Sequence, residues 1–352
     1  MSGVTGREMK VAWARATTWG SAASVTRGIL LMSSDGIDDK PKLVDDDAFN
    51  QQFRGEAEVG DRDPVSTELK ATMRFEGIDS WLAQAMGSVA APTVVSSIAA
   101  SSLVAYWHVI TLSDELTHFS TLAFDFTQYI AEVPTFRLRG FTISVGSEGR
   151  LDISFPIVGS RVVYDSTINT NSTVGGATAA TIGNRAMRKN ARIRLNAQGA
   201  SALGGGDVLS LVKDFQLSYS RPLAQDDHVV GDDVIAEPDD DGFAEMEFQL
   251  NFARMNTISA NSMAIAFGAG STFKGDLLLN GPYINSTTRR SLTLEMPALQ
   301  AYDFKAPVTG HNQVRPSVTL RMKRAASAPS GMAFTAPLRA TLINANSANL
   351  LA

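Results

Sequence analysis

Phe136-Arg-Leu-Arg-Gly-Phe-Thr-Ile-Ser-Val145 decides the reading of this chain. Apolar and polar residues alternate along it, the mark of a strand with one buried face. The phase flips at Gly140: Phe136 and Leu138 share one parity, while Phe141, Ile143 and Val145 share the other. A slip beside a glycine predicts a β-bulge. The Gly-Ser-Glu-Gly run at 146–149 then turns the chain into Leu151-Asp-Ile-Ser-Phe155, making an antiparallel hairpin. The same alternation recurs outward. Glu68–Glu76 places Leu69, Ala71, Met73 and Phe75 on one face, and Glu245–Phe252 does so with Met246, Phe248, Leu250 and Phe252. Phe215–Ser220, Arg192–Leu195 and Ser317–Lys323 read alike. The fold class is mainly β, an antiparallel β-sandwich or barrel.

Two short helices are expected. Asp79–Gly87 has Asp79 or Ser80 as cap, a stripe of Trp81, Leu82, Ala85 and Met86, and Gly87 as stop. Asn256–Gly268 ends at Gly268. Each follows an alternating strand that begins with Glu and ends in an aromatic residue. Phe75 then matches Phe252, and Gly87 matches Gly268. Upstream, Ile29-Leu-Leu-Met-Ser-Ser34 and Phe215-Gln-Leu-Ser-Tyr-Ser220 both precede Asp-rich segments. The pattern predicts two tandem copies, each with one short helix. The expected domains are 1–170 and 189–352, joined by a linker at 171–188 within the Thr-, Asn-, Gly- and Ala-rich stretch from Thr167.

Composition narrows the chemistry. The 352 residues contain no Cys and four His, with a formal net charge of −5. Lack of Cys excludes a disulfide scaffold, a thiolate metal site and a cysteine nucleophile. A mildly negative balance argues against a grip on duplex nucleic acid. No G-x-S-x-G, H-E-x-x-H, Walker A or dinucleotide-binding motif is present, and Gly199–Gly204 is one residue too long for a nucleophile elbow. Glu237–Gly242 resembles the first half of an EF-hand loop, but Phe248 occupies the last ligand position. No catalytic residue, metal site or cofactor is expected. The first eight residues lack an apolar h-region, so no signal peptide is expected. Ser80–Ser113 carries no charge, but Gly87, Pro92 and its serines break it, so no membrane span is expected. The four Trp residues, Trp13, Trp19, Trp81 and Trp107, sit in apolar segments and read as core.

Charge is unevenly placed. Eleven acidic and four basic residues lie between Ser34 and Leu69, and a second acidic cluster runs from Asp226 to Asp241. After Asp303 no acidic residue remains, while Lys305, Arg315, Arg321, Lys323, Arg324 and Arg339 do. Solvated loops explain such runs, and so does head-to-tail association of acidic with basic surface.

The order of strand, short helix ending in Gly, and hairpin resembles the major tail tube proteins of long-tailed bacteriophages. Phe141–Val145, Gly149–Gly159 and Arg54–Pro64 carry the resemblance. It implies inner sheets joined around a ring, rings stacked into a hollow tube, and DNA passing through at ejection. Rings of this family are six-fold, or three-fold when one chain carries two tube domains. The apparent duplication suits a trimeric pseudo-hexamer; a hexamer with an added surface domain competes with it. Expected partners are further copies of the chain, a tape measure protein, tail terminator and distal tail proteins, and transient genomic DNA. The expected location is the virion tail, assembled in host cytoplasm. Candidate contacts between rings are Asp35, Asp38, Asp39, Asp45, Asp46, Asp47, Asp226, Asp227, Asp232, Asp233, Asp239, Asp240 and Asp241, facing Arg321, Lys323 and Arg324. Candidate lumen residues are Glu68, Glu245 and Glu247, although Lys70 and Arg74 share the face of Glu68. A terminator or baseplate ring protein, and a carbohydrate- or receptor-binding β protein, are the alternatives.

Overall fold

A computed structural model describes residues 9–34, 37, 40–45, 57–96, 104–178, 182–255, 264–265, 267–308 and 313–351. Its strands, in chain order, are β1 (Lys10–Ala16), β2 (Arg27–Gly28), β3 (Ser33–Ser34), β4 (Lys40–Val44), β5 (Glu58–Asp63), β6 (Val65–Thr72), β7 (Gly87–Val89), β8 (Thr93–Ser96), β9 (Ala105–Leu112), β10 (Phe119–Asp125), β11 (Ile130–Leu138), β12 (Gly140–Val145), β13 (Leu151–Gly159) and β14 (Val163–Tyr164). The second half adds β15 (Ala191–Ala197), β16 (Val212–Ser220), β17 (Glu245–Phe252), β18 (Thr272–Tyr283), β19 (Arg289–Lys305), β20 (Ser317–Met322) and β21 (Arg339–Asn344). Two helices, α1 (Asp79–Met86) and α2 (Asn171–Gly176), interrupt them. The fold is mainly antiparallel β, as the alternation indicated. Among the described residues no helix is long and apolar enough to cross a membrane.

The alternating segments lie side by side. Their order is β3-β6-β13-β12-β16-β17-β20-β19, every neighbour antiparallel, with only the C-terminal part of β19 included. One face of this sheet is apolar and sealed: Leu69, Phe155, Phe141, Leu217, Phe248 and Leu320 are at most 1% exposed. Two groups of strands cover that face. β2-β1-β10-β11 forms one, and β15-β18-β19-β21-β9 the other. Together they give a β-sandwich with a core cluster that runs through both halves of the chain.

Gly140 is where β11 leaves the outer group and β12 enters the inner sheet. Leu138 faces Ile157 but Thr142 faces Ser154, so the hairpin gains one residue between them. Gly140 has φ +142, and a Cβ there would sit 1.9 Å from the Tyr219 carbonyl oxygen. Only glycine fits this crossing.

All eight residues of α1 are buried. Trp81 packs against Trp13 at 6.0 Å, Phe136 at 5.8 Å and Phe155 at 5.4 Å between ring centroids, bridging β1, β11 and β13. Gly87, with φ 87, stops the helix. The expected cap is corrected. Ile78 is the N-cap and makes no side-chain cap bond. Asp79 Oδ1 accepts the Gly77 and Ser80 amides, while its Oδ2 is taken by Asn344 and Asn346. Of the second expected helix, residues 256–263 lie outside the described residues. Ala264, Ile265, Phe267 and Gly268 are helical, and the left-handed turn comes at Gly270 (φ 62) rather than at Gly268.

Trp107 is also corrected. It is 45% exposed on β9, because the opposite parity of that strand carries the buried His108 and Ile110. Trp13 and Trp81 are core. The stretch 171–188 contains α2, whose Val174 is buried, and Arg185 and Met187 bridge to Arg74 and Arg150.

Candidate functional site

The uncovered face of the inner sheet spans eight paired strands. Alternation places Ser, Thr, Gln, Asn and charged side chains there. One row, read across hydrogen-bonded neighbours, runs Ser33, Lys70, Ser154, Thr142, Ser218, Glu247, Arg321, Gln300. The next runs Thr72, Asp152, Ser144, Gln216, Gln249, Thr319, Asp303.

Three cations on this face lie beside carboxylates, whereas Arg74 bridges to Arg185 and donates to the Gly183 carbonyl. Lys70 Nζ lies 2.8 Å from Glu68, Arg321 Nε 3.3 Å from Glu247, and Lys305 Nζ 2.7 Å from Asp303. Partial burial pushes the Glu68 carboxyl up, but hydrogen bonds from Lys70 and Ser154 and the Lys70 charge hold it below its ordinary value. Arg321 also stacks over Tyr302 at 3.5 Å. The candidate lumen residues Glu68, Glu245 and Glu247 thus share one face. Arg321, also expected among the ring contacts, sits beside Glu247 on that face.

The two acidic loops meet each other. β4 and β5 form a hairpin whose Leu43, Val44 and Val59 are exposed. Arg62 on β5 donates to Asp233 Oδ2 at 2.7 Å, and its amide donates to the Asp233 carbonyl. That hydrogen bond holds the Asp233 carboxyl below its ordinary range. The loop 225–241 is docked rather than free. Buried Arg137 bonds Glu237 and the Pro238 carbonyl, buried Arg221 bonds Asp240, and Trp19 donates to the Ile235 carbonyl at 3.1 Å. Asp226, Asp227, Asp232, Asp239 and Asp241 are exposed on it, as are Val230 and Phe243. Asp45 lies at the hairpin, while Asp35, Asp38, Asp39, Asp46 and Asp47 lie outside the described residues. Arg324 pairs with Asp114, and Lys323 bonds Gln300. The anchoring arginines Arg62, Arg137 and Arg221 carried no sequence signal, since none belongs to a recognisable motif.

Among the described residues no group of His, Asp and Glu is placed to hold a metal ion. The chain belongs to the phage tail tube protein family, whose model matches residues 6–322. It is accordingly a tail component of the virion, and not an enzyme. A search of curated proteins found no match.

Proposed function

We propose that this chain assembles into rings that stack into the tail tube, with the polar face of the inner sheet lining the channel for DNA. The observation that carries this reading is the continuous eight-stranded sheet. Its order β3-β6-β13-β12 is followed by β16-β17-β20-β19, each quartet taking its strands in the chain order first, second, fourth, third. Phe75 corresponds to Phe252, Lys70 to Glu247 and Ser33 to Ser218. A quartet used twice is a duplicated tube unit, so three chains supply the strands of six single units. A closed ring also removes open edges, which in a lone subunit invite aggregation.

The channel chemistry follows from the matched face. A free Lys or Arg would bind a phosphate and release counterions, slowing a moving duplex. Here Lys70, Arg321 and Lys305 each have a carboxylate, and Glu245 adds exposed negative charge. The hairpin β4–β5 and the loop 225–241, joined through Arg62 and Asp233, form one acidic projection suited to contact the next ring. A tape measure protein in the lumen and terminator and distal tail proteins at the ends are the further partners of such a tube.

Negative-stain microscopy of the purified protein tests the reading. Hollow tubes of regular repeat are expected, with three-fold end views. A monodisperse monomer at high concentration, with or without a tail-tip initiator, counts against it; six-fold symmetry without a three-fold component counts against the trimer. Replacing Asp45, Asp46 and Asp47 by Ala is expected to impair stacking. Normal tubes in the same buffer would remove those residues from the contact.

A further inference from the structure

One cross-strand pair on the polar face sets like charge against like. Residues 184–187 enter between the ends of β6 and β13. The Ala186 amide donates to the Met73 carbonyl, and the Ala186 carbonyl accepts from the Leu151 amide. Arg185 thereby faces Arg74, and Met187 faces Arg150. Ala186, Met73 and Phe75 are buried, so Arg185 and Arg74 project from the opposite side, that of Lys70 and Thr72. The bonds from Ala186 to Met73 and from Phe75 to Asn184 flank the two arginines. They are therefore a non-hydrogen-bonded antiparallel pair, the arrangement that brings opposed side chains closest. Like charges directly opposite each other are destabilising.

Among the described residues no carboxylate pairs with either guanidinium. The carboxylates nearest along the strands are already taken. Glu76 is held by Arg290 at 2.5 Å and by Asn184 at 2.7 Å, and Asp152 lies 3.1 Å from Arg150. Arg74 spends one donor on the Gly183 carbonyl at 3.2 Å, and its Nε is sealed from solvent without a partner. Partial burial, and then the charge of Arg185, holds the Arg74 guanidinium below its ordinary value. Arg185 is exposed, and Gly183 leaves open space beside the pair. The pair is thus the exception to the carboxylate-matched cations of the same face.

We propose that Arg74 and Arg185 form a binding site for a phosphate-type oxyanion, which in the assembled tube is a phosphodiester of the DNA backbone. Two guanidiniums side by side offer planar donor forks that match phosphate oxygens. An anion between them replaces one repulsion by two attractions. The oxyanion chemistry stands on the pair alone, whereas the DNA source rests on the channel reading above. In that channel the pair is a local hold at one end of the sheet, set apart from cations that their carboxylates keep off phosphate.

Arg185→Gln is the test variant, because Arg185 is exposed and the fold does not lean on its side chain. The unassembled full-length chain is melted in chloride buffer, with and without a few millimolar inorganic phosphate at constant ionic strength. At that level any general salting effect is small and common to both proteins. Without phosphate, Arg185→Gln should melt at or above the wild type, since a repulsion is gone. Phosphate should raise the wild-type Tm by linkage, and the apparent phosphate Kd should be at least about tenfold weaker in the variant. Arg185→Glu gives Arg74 a carboxylate, so it should raise Tm without phosphate and abolish the response. A wild type that phosphate does not move, or an equal shift in Arg185→Gln, overturns the site. The DNA source is tested separately, by anisotropy of a labelled short duplex titrated with the same proteins across a salt series. The slope of log K against log salt should fall by about 1 in Arg185→Gln. An unchanged slope beside a positive phosphate result overturns the phosphodiester assignment and leaves a site for free phosphate. Tubes lost in Arg185→Gln with no phosphate response in the wild type would show the pair holding a neighbouring copy's carboxylate, which overturns the proposal. Wild-type protein that never forms rings defeats the tube reading, while the phosphate result on unassembled protein still decides the site.

Discussion

Replacing Gly140 by Ala tests whether the joint inside the chain is as tight as the geometry requires. The new Cβ would lie 1.9 Å from the Tyr219 carbonyl oxygen and 2.8 Å from its carbon. Both obstacles are backbone of β16, so no side-chain rotation relieves them. The φ of +142 adds strain of about 1–3 kcal/mol for a residue with a side chain. Forcing the strands apart adds about 1–3 kcal/mol, as overpacking does elsewhere. A loss of about 2–6 kcal/mol follows. At roughly 2.1 cal/mol/K per residue, a chain of 352 residues has a midpoint entropy near 0.7 kcal/mol/K. The Tm should therefore fall by about 3–8 °C, measured by calorimetry under conditions that keep the protein unassembled. Gly183→Ala is the control, since nothing lies within 4 Å of its Cβ, and it should shift Tm by less than about 1 °C. If Gly140→Ala melts with the wild type, the close crossing of β12 and β16 is not as described here.

Three further outcomes are expected. Trp81→Ala removes the ring joining β1, β11 and β13 and should cost about 3–5 kcal/mol by chemical denaturation, whereas Trp107→Ala, half exposed, should cost far less. Arg221→Ala strips the partner from Asp240, which is exposed, and frees the Ser113 and Asp114 carbonyls, so about 1–3 kcal/mol should be lost, with the 225–241 loop becoming open to proteolysis. The Arg62–Asp233 tether should depend on pH in one direction. The folded-state value of Asp233 lies below its ordinary 3.8, so the contribution is complete above that value and disappears as pH falls through the lowered one. NMR shifts of the β5 amides should move only in that acid range, and the response should vanish in Arg62→Ala. A β5 transition near neutral pH would contradict the assignment.

The legible strands were those with one wet face. Glu68–Phe75 and Glu245–Phe252 betray themselves because every second side chain remains in water. Gly140 was legible for a related reason, since the flip of parity records a change of sheet. β10 and the first part of β11 left no such trace. Every residue of Phe119–Asp125 and Ile130–Leu138 is buried, so neither strand has a period to read. The candidate site was partly legible for the same reason: its polar face is the wet face of the readable strands. Arg321 gave no local sign of its pairing, because in sequence it is one basic residue of an acid-free tail. Its partner Glu247 lies 74 residues away and is brought beside it only by strand pairing. Nothing local distinguishes Arg62 or Arg137 either, because their partners come from a loop 171 and 100 residues along the chain.

The pairing of β12 with β16 joins the two halves without a second molecule. A contact between separate chains weakens on dilution, because association carries an entropic penalty of several kcal/mol at a standard concentration. A contact within one chain has an effective concentration fixed by the intervening segment, here Gly146 to Leu211, and does not respond to dilution. Every joint of this internal kind is already made when the subunit folds. Assembly at low protein concentration is then limited only by joints between chains, and damage at Gly140 should be felt before any second copy is met.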